Sequence, residues 1–232
     1  MKLVTLNVHA LSGNRVNRVI DLFKKLTPHV IFLQEISEPI LKQVALGLKY
    51  KYYWAKADFL GNGLLSAYDI CDSYSIILNN GILCENRSAI RATINTPLYG
   101  KLKFIGTHLD HLHEHNRLLQ MKLLSAHFQN VDFIMGDFNS IHVSDYSQPE
   151  INIINAHRDI GHIEHVKGDV MEYIKSHGYK INPYVHWTSR FETRIDFIMY
   201  KTCSNWTTKE TVINTIKDHY SDHCLVMANV SK

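Results

Sequence analysis

Short apolar runs, each too brief for a helix and each bounded by polar or turn-forming residues, recur along this chain and constrain its fold more than any other feature. They lie at residues 3–8, 30–33, 50–55, 63–66, 74–78, 90–95, 102–107, 131–135, 194–200 and 224–230, and runs of this length and pattern read as β-strands. Between the first two, Val16, Val19, Ile20, Phe23 and Leu26 recur at helical spacing, with Asn14 as a cap and Pro28 beyond the end. A second helix is expected from Ser37 with Pro39 in its first turn, and a third over 114–128 on Leu118, Leu119, Leu123, Leu124 and Phe128. Many strands with few helices predict an α/β fold: a four-layer sandwich of two packed, mostly antiparallel sheets flanked by helices. With 5 Pro and 11 Gly spread through 232 residues, no linker or repeat divides the chain. A single domain over 1–232 is expected, and 140–161 reads as an insertion between elements.

Composition mainly excludes. Hydrophobic residues at 45% and charged residues at 20% rule out a disordered or coiled-coil chain. The formal charge of +3 is too small to argue a nucleic-acid partner without a site. No apolar run has the roughly 18 residues of a membrane span, and the N-terminus lacks a signal-peptide pattern, so a cytoplasmic protein without a membrane span is expected. Cys71, Cys84, Cys203 and Cys224 show no C-x-x-C spacing, which predicts reduced thiols rather than a zinc ribbon or disulfide framework.

The informative residues stand at the ends of the predicted strands: Asn7, Glu35, His108, Asp137 with Asn139, Asp196, and Asp222 with His223. A lone Asp after Gly136 is ordinarily a turn residue, since glycine lets the chain turn tightly. Carboxylates, amides and imidazoles ending strand after strand are another matter, because strand ends converge on one cleft. Together they match the needs of phosphate-ester hydrolysis. A hard cation takes one or two carboxylates, a water must be oriented, and a leaving oxygen must be stabilised.

These residues fall in blocks that resemble, in order, the endonuclease/exonuclease/phosphatase superfamily, with its deoxyribonuclease I and exonuclease III fold. The blocks are LNVH at 6–9, LQE at 33–35, GNGLLS at 61–66, GTHLDH at 106–111, GDFN at 136–139, RIDFI at 194–198 and SDH at 221–223. The resemblance implies Glu35 as principal ligand of Mg²⁺, or Mn²⁺, with Asn7 beside it on metal or phosphate and Asp222 contributing to the metal site. It implies Asp137 and Asn139 as the pair that orients the attacking water, Asp196 as the orienter of His223, and His108 as donor to the leaving group. Asp137 and His223 both stand as candidates for the base. Asn62 matches a position near the site, and Arg194 either reaches the phosphate or pairs with a carboxylate.

Departures narrow the substrate. Ile36 replaces the Lys that follows the metal Glu in abasic-site endonucleases, and His9–Ala10 replace the acid and glycine of the tyrosyl-DNA phosphodiesterase motif. His111 and His115, four apart, suggest zinc only superficially, since no cysteine accompanies them. Tyr52, Tyr53 and Trp54 either stack bases or belong to the core. The expectation is a monomeric Mg²⁺-dependent phosphodiesterase acting on DNA or RNA, with Arg87, Arg91, Lys101 and Lys103 as the basic surface. A phosphatase or phospholipid-headgroup phosphodiesterase is the alternative, followed by a non-catalytic binding protein.

Overall fold

The central apolar runs become strands buried on both faces, one against a facing sheet and the other under helices, while those at 50–55 and 74–78 become edge strands with exposed residues. The computed structural model describes residues 1–57, 60–79, 86–161 and 164–232; Cys84 and His162 fall outside them. In chain order the strands are β1 (Lys2–Asn7), β2 (Val30–Ile36), β3 (Lys51–Lys56), β4 (Gly61–Ser66), β5 (Asp69–Ile77) and β6 (Ser88–Thr96). They continue as β7 (Gly100–His108), β8 (Phe133–Asp137), β9 (Tyr179–Lys180), β10 (Asp196–Lys201), β11 (Thr207–Ile213) and β12 (Leu225–Ser231). One six-stranded sheet has the order β11-β12-β1-β2-β4-β3, the other β5-β6-β7-β8-β10-β9. Pairing is antiparallel except for β1 with β2 and β7 with β8.

The inner faces meet in a core that includes Phe32, Leu64, Phe104, Phe133, Met135 and Val226. Close approach there depends on Gly106, where an added Cβ would stand 1.9 Å from the Phe32 ring. Helices α1 (Asn14–Leu26) and α2 (Glu38–Leu48) cover the outer face of the first sheet through Val19, Phe23, Leu41 and Val44. Helices α3 (Glu114–Ser125) and α5 (Asp169–Ser176) cover the second through Met121, Leu124, Met171 and Ile174. Helix α4 (Gln148–Ile160) buries only Ile151. The four-layer sandwich is therefore as the sequence predicts.

Its details differ in places. Gly13 with φ 56° is the cap of α1, and Asn14 is the first helical residue. Helix α3 ends at Ser125, three residues early, and Ala126–Phe128 closes as a turn. The segment 140–161 carries α4 behind a Ser147–Glu150 capping box, rather than only loop. Gly136 is a strand residue and not a turn. Its φ of 141° lets β8 lie against β7, where a Cβ would stand 2.0 Å from the Thr107 carbonyl oxygen. Cys71, Cys203 and Cys224 are free thiols. No helix among the described residues is long and apolar enough to cross a membrane.

Of the two readings of Arg194, the structure shows the pairing with carboxylates. Arg194 does not reach the cleft, because its fully buried guanidinium is spent on a structural network just before β10. Nη1 donates to Asp145 Oδ2 at 3.1 Å and to the Asn182 carbonyl at 3.0 Å, while Nη2 donates to Glu210 Oε1 at 2.8 Å. Glu210 lies on β11, so this arginine pins an edge strand that apolar patterning alone misses. Removing one partner of a buried ion pair strands the other charge, which costs about 3–5 kcal/mol. Arg194→Met is accordingly expected to lower unfolding free energy by about that amount, and a denaturation midpoint equal to wild type would refute the assignment.

Candidate active site

Strand direction decides which residues meet. β1, β2, β7 and β8 end at one edge of the sandwich, while β10 and β12, antiparallel to β8 and β1, begin there. Asn7 ends β1, Glu35 is the penultimate residue of β2, His108 ends β7, Asp137 ends β8, Asp196 opens β10, and Asp222 and His223 precede β12. Asp137 stands in register with both His108 and Asp196. The group straddles the seam between the two sheets.

Local backbone geometry aims the side chains. Glu35 has φ 54° and lies where the β2–β4 register slips between Leu33 and Ile36, a bulge that turns its carboxylate toward the cleft. Asn139 has φ 49°, and its backbone N–H donates to Asp137 Oδ1 at 2.9 Å. Its side-chain amide donates to the Leu109 carbonyl at 3.1 Å. Left-handed non-glycine residues cost about 1–3 kcal/mol each and concentrate where function demands them.

Asp137 Oδ2 is the point of convergence. It accepts from Asn7 Nδ2 at 3.1 Å and lies 3.5 Å from His108 Nε2 and 3.8 Å from His223 Nε2. Asn7 Nδ2 also donates to Glu35 Oε1 at 3.0 Å, while Asn7 Oδ1 accepts from the His9 backbone N–H at 3.0 Å. His223 Nδ1 is 2.9 Å from Asp196 Oδ2, and the Asp196 backbone N–H donates to Thr188 Oγ1 at 3.1 Å.

Burial, then the neighbouring Asp196, pushes the Asp137 carboxyl up, and His223 with the hydrogen bonds from Asn7 and Asn139 partly offsets this. Burial alone would lower His223, but the carboxylates of Asp196 and Asp137 outweigh it and hold the imidazolium above its ordinary range. Burial first, and then the Arg87 cation, holds His108 well below the ordinary imidazole range. Two histidines a few ångströms apart are thus driven to opposite charge states.

Glu35 and Asp222 offer hard oxygen donors at the cleft surface, with side chains 30% and 23% exposed. Partly exposed carboxylates with room for water suit a cation of the Mg²⁺ kind, which keeps part of its hydration shell, so the residues fit the implied metal. His9 Nδ1 lies 3.6 Å from a carboxylate oxygen of each. Asp137, Asp196 and His223 also lie within reach of a single ion. There, however, the 2.9 Å contact of His223 with Asp196 already forms a hydrogen bond between two of the donors.

Asn62 comes to a small cavity beside Glu35 and His108, where its amide donates to the Ser88 carbonyl at 2.7 Å and its own buried carbonyl oxygen has no partner among the described residues. The open cleft, about 310 Å³, is also lined by His9, Arg87, His111, Arg190 and Phe191. Sequence reading passes over these as site residues. The β6–β7 hairpin register sets Ala89 opposite Thr107 and so brings Arg87 beside His108. Arg190 and Phe191 sit in a loop with no periodic signal. His111 precedes α3, so it does not share a helix face with His115. Tyr52, Tyr53 and Trp54 lie on the edge strand β3, with Tyr53 and Trp54 packed against hydrophobic clusters and none of the three in the cleft.

A search of the curated proteins finds no match. Similar solved structures include an endonuclease/exonuclease/phosphatase from Bacteroides vulgatus (TM-score 0.76, 18% identity, covering 99% of this chain and 98% of that one). A mannosyl-6-phosphatase from Bacteroides thetaiotaomicron superposes with TM-score 0.75 at 14% identity, covering 100% of each chain. TDP2 of D. rerio, complexed with single-strand DNA product, gives 0.70 at 16% identity, covering 100% of this chain and 99% of that one. Similarity at such identity shows a shared fold. The sequence itself carries more: residues 4–223, which hold every strand-end group described above, match the model of the Endonuclease/Exonuclease/phosphatase family, and the chain belongs to that family.

Proposed function

We propose that the protein is a Mg²⁺-dependent phosphodiesterase whose substrate is a nucleic-acid strand. The observation that carries the reading is the convergence of Asn7, His108 and His223 on Asp137 Oδ2, with Glu35 one hydrogen bond away. That arrangement has the groups needed to orient a water and to surround a phosphoryl group with N–H donors.

In this reading Glu35 and Asp222 hold the metal, with Mn²⁺ as a substitute, and the ion when bound supplies charge stabilisation for the phosphoryl oxygens. Asp137, held by Asn139 and Asn7, orients the water and takes its proton. Asn7 acts through the two carboxylates it bridges. His223, kept cationic by Asp196, presents Nε2–H to the phosphate. Asn139 lines the cleft beside Asp137.

A phosphatase is the second reading, favoured by the placement of the basic residues. Arg91 donates to the His127 and Gln129 carbonyls, and Lys101 and Lys103 stand near the far end of β7 from His108. Only Arg87 of that set lines the cleft. A cleft of about 310 Å³ also accommodates a small phosphoester.

The test is side-by-side hydrolysis of bis-p-nitrophenyl phosphate, p-nitrophenyl phosphate and a labelled DNA oligonucleotide. Activity on the diester and the oligonucleotide is expected with Mg²⁺, falling to background in EDTA and returning on Mg²⁺ addition. Cleavage of the monoester alone would replace the diesterase by the phosphatase; turnover undiminished by EDTA would refute metal dependence.

A further inference from the structure

The structure assigns Arg87 a positioning role: through its guanidinium it fixes His108 in the tautomer that carries the proton on Nε2, making that histidine a hydrogen-bond donor to the phosphoryl group. The function of that donor rests on the phosphoesterase reading above; the tautomer itself does not.

Arg87 directly precedes β6, and its Nη1 lies 3.2 Å from His108 Nδ1 while its Nη2 lies 3.2 Å from His111 Nδ1. A guanidinium has only N–H donors and does not lose its proton in proteins, so whatever faces it at this distance must accept. The Nδ1 atom of His108 therefore presents its lone pair to Arg87. A neutral imidazole carries a single N–H, which must then sit on Nε2. That atom points into the cleft, 3.5 Å from Asp137 Oδ2 and 4.0 Å from Glu35 Oε1.

The planar fork matters as much as the charge. With one arm on His108 and the other on His111, the guanidinium plane is held in one orientation, and the His108 side chain beside it is only 6% exposed. A doubly protonated His108 would turn an N–H toward an N–H, so this pairing keeps the histidine from serving as a reservoir of a second proton. His108 is thereby a fixed dipole aimed where charge develops on a phosphoryl oxygen. This revises the role implied by family resemblance, in which His108 hands a proton to the leaving group.

Tautomers are read directly by nitrogen NMR. In protein labelled with ¹⁵N-histidine and kept in Mg²⁺ buffer, the His108 signals are those that vanish in His108→Gln. The expected wild-type pattern is a protonated, pyrrole-type Nε2 and a bare, pyridine-type Nδ1. Arg87→Met should shift His108 toward mixed tautomers and lower kcat by about tenfold or more. Arg87→Lys, which still offers a donor, should preserve the tautomer and recover part of kcat.

A protonated Nδ1 in the wild type would overturn the assignment without any variant, as would an unchanged tautomer in folded Arg87→Met. If the wild type hydrolyses none of the phosphoesters while showing the expected nitrogen pattern, the phosphoesterase reading and the donor role fail and the tautomer assignment stands.

Discussion

Asp137→Asn is expected to slow phosphodiester hydrolysis by about 10³- to 10⁴-fold, the scale of losing a positioned base together with the orientation of the water. The amide is nearly isosteric, and its oxygen can still accept from the Asn139 backbone N–H. Its NH₂ group, however, would face the amide of Asn7 and the Nε2 atoms of His108 and His223, all of which stand around Oδ2 in the wild type. Donors would meet a donor, and no atom remains to take the proton from water. Stability should move little, because the lost acceptor is offset by removing a carboxylate that burial and Asp196 already disfavour. A melting midpoint within about 4 °C of wild type, together with the rate loss, would assign the effect to chemistry. Retention of more than a tenth of the wild-type rate would remove Asp137 from the reaction.

Glu35→Gln should abolish Mg²⁺-dependent turnover, by about 10³-fold or more, and also cancel the stabilisation that Mg²⁺ confers. A ligand that binds only the folded state stabilises it by about 2.7 kcal/mol at a hundred times its Kd, so the metal is readable as a rise in melting temperature. The wild type should show that rise and the variant should not. The glutamine keeps an oxygen that can accept from Asn7 and removes the charge a hard cation requires. If the variant still melts higher with Mg²⁺, the ion sits elsewhere, and the buried set of Asp137, Asp196 and His223 becomes the place to look.

The sequence exposes the parts of this molecule in which one residue reports its own environment. A strand buried on both faces is apolar throughout, so β1, β2 and β8 announce themselves, and the polar group at the end of each marks the edge. Helix α1 is legible because its buried side chains recur at one face. The two-residue strand β9 and the edge strand β11, with its Thr-Thr-Lys-Glu start, bury too little for a pattern to form. Likewise α4, with one buried residue, looks like loop. The convergence of the candidate residues at strand ends is readable for the same reason the strands are. For Arg194 the sequence leaves two readings open, and the choice between them depends on the path of the chain just before β10, where the side chain leaves toward Asp145 and Glu210. Arg87, Arg190 and Phe191 become visible only once register and loop paths bring distant segments together.

The seam between the sheets carries a further consequence. Asn7 and Glu35 belong to one layer and His108, Asp137 and Asp196 to the other, so the geometry of the candidate site is a measure of how the two layers are aligned. The Phe32 ring seated over Gly106 acts as a dowel between them. A displacement of about 1 Å in a catalytic group can cost about 10²-fold in rate. The tolerance of this enzyme is therefore set in its interior, and a methyl group added at Gly106 would act as a misalignment of tooling whose first symptom is slow chemistry at the rim.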